Sequence, residues 1–263
     1  MNYEGAVLDL DGTVYRGERL LPGSVEAVER IRAAGIGPLF FSNNPTKSRA
    51  AYVERLRGFG IDADPEEVLS AGTVTTRYLG AEHADDTVYV IGDAGLKSQF
   101  EAADVDLVGE PSEADVLVAS WTREFEYGDM LAGYRAIEAG ATFYGTDPDR
   151  LIPAAEGMVP GSGAIVNAVS GVAGRDPRKT LGKPSAEARR AALDALGCPA
   201  ERCFVVGDRL NTDVELGDRA GMTTVLVRTG VATDEDVAAS DVEPDHVVDS
   251  LADVPDALGL DGR

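Results

Sequence analysis

Two aspartates follow a short apolar run near the start of the chain, in the segment GAVLDLDGTVYRG at residues 5–17. Asp9 and Asp11 are two residues apart, so on an extended backbone their side chains point the same way. Two carboxylates placed together can share a cation, or can divide the roles of nucleophile and acid/base. The apolar run predicts a buried strand that delivers both carboxylates and the hydroxyl of Thr13 to one exposed edge. An ordinary strand-end turn in an aspartate-rich chain is the structural alternative.

Polar groups also follow three later segments, each just before a predicted helix. They are Ser42, Asn43 and Asn44 after the strand GPLFFS, Lys183 before Pro184, and Asp208 with Asp213 in GDRLNTD. Taken singly, each has a structural explanation, as a helix cap, a solvated charge or a strand end. If one parallel sheet carries all of these segments, their polar ends converge at one edge of that sheet.

Such an edge would suit a phosphate ester bound with a metal ion. The carboxylates of Asp9, Asp11 and Asp208 would repel one another at close range, so they require a cation. An all-oxygen ligand set favours Mg²⁺ over zinc. Lys183, Ser42 and the amide groups of a following helix would attract an anion. A cation site beside an anion site is the arrangement that a phosphate on Mg²⁺ needs.

Apolar strands alternate with amphipathic helices along most of the chain, which predicts an α/β fold with parallel sheets and right-handed crossovers. The residues Asn43–Pro45 are predicted to open a helix that runs to Phe59. We expect a Rossmann-like parallel-sheet core formed by residues 1–79 and 180–263. Residues 80–179 are expected to form an inserted α/β domain.

The composition limits the partners and the location of the protein. The 263 residues carry 46 acidic and 24 basic side chains, a formal net charge of −22, which repels nucleic acid and anionic lipid. Acid excess with few lysines resembles the composition of proteins from extreme halophiles. No apolar run approaches the ~20 residues needed to span a bilayer, and no signal sequence is evident, so a cytoplasmic location is expected.

Cysteine and histidine are scarce. Cys198 and Cys203 match no zinc or redox spacing, so two reduced thiols are expected. His83 and His246 lie in acidic stretches that we expect to be exposed. The sequence therefore favours a mechanism that does not use histidine.

In this order, DLDGT, FSNN, GKP and GDRLNTD resemble the four signature motifs of the haloacid dehalogenase superfamily. Most members of that family are Mg²⁺-dependent phosphatases that act through an aspartyl-phosphate. The long segment between the second and third motifs resembles a C2-type cap domain. The strings VIGDAGL, GTDPD, VPGSGAIVNAVSG and LGKPS are similar to the NagD-like, nitrophenylphosphatase-type branch, which includes phosphoglycolate and pyridoxal phosphatases. The resemblance extends from about Tyr3 to Gly230.

The resemblance implies separate roles for the acidic residues. Asp9 would be the nucleophile that takes the phosphoryl group. Asp11 would protonate the leaving alcohol and then activate water. Asp9, the backbone carbonyl of Asp11, and Asp208 would hold Mg²⁺, and Asp213 would support these ligands from behind.

The same resemblance assigns the phosphate-binding groups. Ser42, Asn43 and the amide of Asn44 would bind the transferring phosphoryl oxygens. Lys183 would balance the charge on the nucleophile and on the phosphate.

The cap would set the preference for the leaving group. Asp147, Pro148 and Asp149 are expected near the cleft, with a simple turn as the alternative. Some relatives carry a polar residue or histidine immediately before the proline that matches Pro153, whereas this chain has Ile152. That difference argues against pyridoxal-phosphate-type selectivity.

The function expected from the sequence is the Mg²⁺-dependent hydrolysis of small-molecule phosphate monoesters through a covalent aspartyl-phosphate on Asp9. Two alternatives stay open at this point. One is a phosphotransferase or mutase that uses the same site, and the other is a non-catalytic protein that binds phosphorylated metabolites. A homo-oligomer is compatible with all three of these functions.

Overall fold

A computed structural model describes residues 2–154 and 157–260 of the chain. Within these ranges the strands, in chain order, are β1 (Gly5–Leu8), β2 (Tyr15–Arg16), β3 (Arg19–Leu20), β4 (Gly37–Ser42), β5 (Val68–Ser70), β6 (Val88–Ile91), β7 (Val116–Ala119), β8 (Thr142–Gly145), β9 (Leu151–Ala154), β10 (Gly157–Pro160), β11 (Lys179–Thr180), β12 (Cys203–Gly207), β13 (Thr223–Val227) and β14 (His246–Val248). The α-helices are α1 (Ser24–Ala33), α2 (Arg49–Gly58), α3 (Ala71–Glu82), α4 (Ala94–Glu101), α5 (Tyr127–Ala139), α6 (Ser162–Ala173), α7 (Ala186–Leu196), α8 (Glu215–Ala220), α9 (Asp234–Ala239) and α10 (Val254–Ala257).

Two compact units make up the described chain. The first unit contains residues 2–42, 49–69 and 188–260, and the second contains residues 43–48, 70–154 and 157–187. Each unit is built around its own sheet. The domain boundaries expected at residues 79/80 and 179/180 stay a prediction.

The sheet of the first unit has the strand order β14-β13-β12-β1-β4-β5. β1 is central and pairs in parallel with both β12 and β4, with Leu8 opposite Val206 on one side and Phe40 on the other. β12 also runs parallel to β13, and β13 to β14. The carboxyl ends of β1, β4 and β12 therefore lie along one edge of the sheet. This confirms the predicted α/β class with a parallel sheet.

The strand β1 is buried throughout, as the uninterrupted apolar run GAVL indicates for a strand covered on both faces. Helix α1 contributes Ala27, Val28 and Ile31 to the core on one face of the sheet, where they join Phe40 and Phe204. The central strand is thereby held by its pairing with two neighbouring strands and by the packing of α1 on one face of the sheet. Its last residue directly precedes Asp9.

The second unit has a parallel sheet of its own, in the order β11-β8-β7-β6. Helices α5 and α6 cover it with apolar side chains, among them Ile137, Ile165 and Val169, which pack with Leu117 and Phe143 of the strands. β9 and β10 pair with each other in the antiparallel direction, as a separate two-stranded sheet. The inserted segment is thus itself α/β, as expected.

Helix α2 begins at Arg49, so the prediction that Asn43–Pro45 open this helix is wrong. The side-chain oxygen of Asn44 accepts hydrogen bonds from the backbone N and the hydroxyl of Thr46, at 2.9 and 2.8 Å, which makes a local turn. The following proline also disfavours the helical conformation at Asn44. The chain therefore stays irregular through Ser48.

Among the described residues, no helix combines the length and the apolar character that a bilayer crossing requires.

Gly217 tests how tightly α8 packs on the first sheet. A Cβ at this position would overlap the side chain of Val205 and lie 2.7 Å from Cγ2 of Thr224. We expect Gly217→Ala to lower the free energy of unfolding by about 1–3 kcal/mol, since the neighbouring strands leave no room for the methyl group. Urea unfolding measures the change. Gly58→Ala is the control, because a Cβ there meets nothing within 4 Å, and an equal loss in both variants would contradict the packing.

Candidate active site

Three buried carboxylates lie together at the carboxyl edge of the first sheet. Asp9 follows β1, Asp208 follows β12, and Asp213 lies in a π-helical turn at Leu210–Val214. One carboxylate oxygen from each lies within 4.8 Å of the others. Because β1 and β12 are adjacent and parallel, the sheet itself brings Asp9 and Asp208 together. The turn then adds Asp213.

Backbone groups support two of these carboxylates. The backbone N of Val231 donates to Oδ2 of Asp208 at 2.8 Å. The backbone N of Arg209 donates to Oδ2 of Asp213 at 3.2 Å. Such hydrogen bonds partly replace the water contacts that a buried carboxyl oxygen loses. Both acids are 1% exposed, so their orientation is fixed by protein groups.

Two glycines make room for Asp208. A Cβ on either Gly12 or Gly230 would overlap the carboxylate of Asp208. Gly12 also has a φ of +101°, which L side chains rarely adopt. The loop after β1 and the segment after β13 therefore both approach this side chain closely, and each does so at a glycine.

The donor set fits a hard divalent cation. Carboxylate oxygens are the ligands that Mg²⁺ and Ca²⁺ prefer, and three buried acids close together need positive charge to offset their repulsion. Asp213 belongs to the group of close carboxylates in the structure. The family resemblance implies a position for Asp213 behind the ligands.

Asp11 and Thr13, which follow Asp9 in the first motif, differ in solvent exposure. The side chain of Asp11 is exposed, in contrast to Asp9, which is 8% exposed. Thr13 is fully buried, so the prediction that its hydroxyl reaches an exposed edge is wrong. The backbone N of Thr13 donates to the carbonyl of Leu10 at 3.3 Å, in the turn that follows β1.

Ser42 ends β4, next to β1 in the sheet, and is buried. The hydroxyl of Tyr52, from α2, donates to Oγ of Ser42 at 3.2 Å. Burial raises the pKa of Tyr52 well above its usual range, so this hydroxyl keeps its proton as a donor. Tyr52 is 1% exposed, and its polar contact with Ser42 could not be seen in the sequence.

Asn43 and Lys183 are joined in the second unit. Oδ1 of Asn43 accepts from the backbone N of Lys183 at 2.8 Å, and its Nδ2 donates to the carbonyl of Lys183 at 3.2 Å. Lys183 is 1% exposed. A residue predicted to bind phosphate is thus held by backbone contacts to another such residue, 140 positions away in the sequence. Asn44 is exposed and forms the turn described above.

The motif GTDPD places two buried carboxyl groups, Asp147 and Asp149, in the second unit. Asp147 accepts from the hydroxyl of Thr146 at 3.1 Å and from the backbone N of Asp149 at 3.2 Å. Nδ2 of Asn43 lies 3.4 Å from Oδ2 of Asp149. Desolvation, and then the charge of Asp149, raise the pKa of Asp147 to about 8. These groups are buried polar links, and their contacts were not predictable from the motif alone.

The two histidines are half-buried, so the expectation that they are exposed is wrong. Nδ1 of His83 lies 2.6 Å from Oδ2 of Asp86, and its Nε2 lies 2.9 Å from the hydroxyl of Tyr144. His246 begins β14. His83 therefore links a loop to a strand within the second unit.

Two family models match the chain, a haloacid dehalogenase-like hydrolase model at residues 6–106 and a HAD-hydrolase-like model at residues 180–254. The chain belongs to the haloacid dehalogenase-like hydrolases. It is 34% identical to the sugar-phosphatase AraL of Bacillus subtilis, with 95% of this chain and 91% of the relative covered. It is 33% identical to an acid sugar phosphatase of Staphylococcus epidermidis, over 93% of this chain and 94% of that protein.

The fold of this haloacid dehalogenase-like hydrolase is shared with a p-nitrophenyl phosphatase from Archaeoglobus fulgidus. That structure superposes with a TM-score of 0.91 at 36% identity, covering 98% of this chain and 100% of that chain. The family predicted from the four motifs is confirmed, and so is the NagD-like, nitrophenylphosphatase-type branch predicted from the strings within and after the inserted segment. The predicted architecture, a Rossmann-like core with an inserted α/β cap domain, is confirmed as well.

Asp147 gives a pH-dependent test of the second unit. Its pKa is raised in the folded protein, so the stability that its protonation contributes is complete below the unfolded pKa near 3.8 and is lost as the pH rises through about 8. Asp147→Asn keeps a neutral group at every pH. We compare the free energy of unfolding of the variant with that of the wild type. Between pH 5 and pH 8.5 this difference should shift in favour of the variant by at least about 1.4 kcal/mol, the equivalent of one pKa unit.

Chemical denaturation of both proteins across this pH range measures the difference. Asp85→Asn, at an exposed position of the same unit, should show no such change with pH. A constant difference between Asp147→Asn and the wild type would show that Asp147 is ionised in the folded state at every pH tested.

Proposed function

We propose that this chain is a Mg²⁺-dependent phosphatase that hydrolyses small-molecule phosphate monoesters through a covalent aspartyl-phosphate on Asp9. The observation that carries the proposal is the buried group of Asp9, Asp208 and Asp213 in a chain whose relatives are phosphatases. Phosphoryl transfer needs mainly positioning and the offset of negative charge. Three carboxylates held at one sheet edge provide both, once a cation is bound.

Asp9 and Asp208 would hold the cation together with the backbone carbonyl of Asp11, and Asp213 would complete or support this set. When bound, Mg²⁺ supplies positive charge that offsets the carboxylates and the phosphoryl oxygens. Burial keeps the carboxylate of Asp9 in one orientation, which suits a nucleophile.

The first step is the attack of a carboxylate oxygen of Asp9 on phosphorus, with loss of the ester oxygen to the leaving alcohol. The carboxyl group of Asp11 gives its proton to that oxygen. In the second step the carboxylate of Asp11 takes a proton from water, which attacks the same phosphorus. The bond between phosphorus and the Asp9 oxygen breaks, which releases phosphate and restores the carboxylate of Asp9. The exposed position of Asp11 is compatible with exchange of protons with solvent and with the departing alcohol.

Ser42, Asn43 and the amide of Asn44 are proposed to bind the phosphoryl oxygens, and Lys183 to balance their charge. Lys183 is the one lysine of the described chain that is almost fully buried, and a buried ammonium group is stable only close to negative charge. The amide of Asn43 holds the backbone of Lys183 on both sides of its Cα. This support favours a fixed ammonium position.

Sugar phosphates are the substrate class that we propose. The matched relatives carry the names sugar-phosphatase and acid sugar phosphatase, and the matched structure is of a p-nitrophenyl phosphatase. p-Nitrophenyl phosphate is accordingly a suitable first assay substrate. Phosphate release should be screened over sugar phosphates, phosphoglycolate, nucleotides and pyridoxal phosphate, with Mg²⁺ and at both low and high salt.

Asp9→Asn tests the mechanism. The variant keeps the shape of the side chain and removes the nucleophilic carboxylate, so we expect the rate of p-nitrophenyl phosphate hydrolysis to fall by more than about 1,000-fold. The control is Asp218→Asn, which changes an exposed aspartate of the same unit and should leave the rate unchanged. Full activity of Asp9→Asn in the presence of Mg²⁺ would rule out the aspartyl-phosphate.

The products distinguish hydrolysis from its alternatives. A phosphatase releases one phosphate for each ester consumed, whereas a mutase or phosphotransferase yields a phosphorylated product without equal release of phosphate. A non-catalytic binding protein would be stabilised by phosphate esters without turning any of them over. Either of these results would overturn the proposed hydrolysis.

A further inference from the structure

The two cysteines of the chain lie side by side in the first unit. Sγ of Cys198 is 3.2 Å from Sγ of Cys203, and both are free thiols. Cys203 is the first residue of β12, and Cys198 lies in the loop that follows α7. A disulfide has a sulfur–sulfur bond of about 2.05 Å, so the two sulfurs need to approach by only about 1 Å.

The surrounding residues hold the thiols against each other. Gly5 of β1 pairs with Cys203 in the sheet. A Cβ on Gly5 would lie 2.9 Å from Sγ of Cys198 and 3.1 Å from Sγ of Cys203. Both sulfurs therefore lie where a side chain at position 5 would begin, and the glycine there leaves room for them. The Cys203 thiol also lies 3.3 Å from the carbonyl oxygen of Pro199, which it reaches as a donor.

The two thiols differ in access. Cys203 is buried, whereas Cys198 is partly exposed. Burial, followed by the neighbouring Cys198, raises the pKa of the Cys203 thiol to about 12. An oxidant from solvent therefore meets Cys198 first, and Cys203 lies within reach of the product.

We propose that Cys198 and Cys203 form a modification site, at which a hydroperoxide converts the two thiols into an intrachain disulfide. In the first step the Cys198 thiol gives up its proton and its sulfur attacks the peroxide, the O–O bond breaks, and the released proton joins the departing oxygen as water or an alcohol, which leaves Cys198 as a sulfenic acid. In the second step the sulfur of Cys203 attacks the sulfenic sulfur, its proton leaves with the hydroxyl group as water, and the disulfide forms. With hydrogen peroxide, two thiols and one peroxide give one disulfide and two waters.

The site is separate from the proposed catalytic machinery. Cys203 lies at the amino end of β12, and Asp208 follows the carboxyl end of the same strand. The inference rests on the thiol geometry alone and is independent of the proposed phosphatase reaction. Failure of one proposal leaves the other intact.

Peptide mapping tests the proposal directly, because Arg202 lies between the two cysteines. Trypsin places Cys198 in a peptide of residues 191–202 and Cys203 in a peptide of residues 203–209. After treatment of the folded full-length protein with hydrogen peroxide, we expect these two peptides to appear as one cross-linked species. The intact chain should lose two hydrogens, about 2 Da, and dithiothreitol should reverse both changes.

Cys198→Ser and Cys203→Ser are the matched variants, and neither should give the cross-linked peptide. The wild-type map is decisive by itself if either variant fails to fold. Thiols that remain unmodified, cysteines found as sulfinic or sulfonic acids, or disulfides that join two chains would each overturn the proposal.

Discussion

Repulsion among three buried carboxylates is the constraint on which this structure depends. Asp9, Asp208 and Asp213 place ligand oxygens within 4.8 Å of one another while each is at most 8% exposed. Ionised groups at such a distance, shielded from water, are costly unless positive charge and hydrogen-bond donors face them. The backbone N–H groups of Arg209 and Val231 supply part of this compensation. A divalent cation would supply the rest.

The parallel sheet provides the rigidity that this arrangement requires. β1 is paired on both sides, so Asp9 starts from a strand that cannot shift without breaking two ladders of hydrogen bonds. Asp208 follows the neighbouring strand in register. Gly12 and Gly230 let two further segments approach the carboxylate of Asp208 closely. Two adjacent, buried strands of the sheet therefore hold carboxylates that would repel one another.

The second unit contains buried polar groups of a different kind. Its contacts join Asn43, Lys183 and Asp149, which come from three distant segments of the sequence. A buried amide that bonds to both the N–H and the carbonyl of one residue fixes the backbone of that residue, because losing a buried hydrogen bond is costly. The backbone of Lys183, a lysine that is 1% exposed, is held in this way.

The sequence predicted the strands and the sheet edge, because these follow from the pattern of apolar runs and the polar residues after them. Buried apolar runs before Asp9 and Asp208 indicated parallel strands, and the carboxyl ends of such strands meet at one edge. It could not predict that a π-helical turn would bring Asp213 into the group of carboxylates, since that depends on the local backbone path. The late start of α2 followed from a side-chain turn at Asn44 that competes with the helix. The pairing of Asn43 with Lys183 is a long-range contact, which spacing along the chain does not encode.

The metal site can be tested by the rate of phosphate release from a sugar phosphate as Mg²⁺ is added to protein stripped with a chelator. We expect negligible turnover without the metal and saturable activation on its return. Asp208→Asn should require at least about tenfold more Mg²⁺ for half-maximal activation, because it loses one of the proposed ligands. Full turnover of the stripped protein, or an unchanged Mg²⁺ requirement in Asp208→Asn, would contradict the claim that these carboxylates form the metal site.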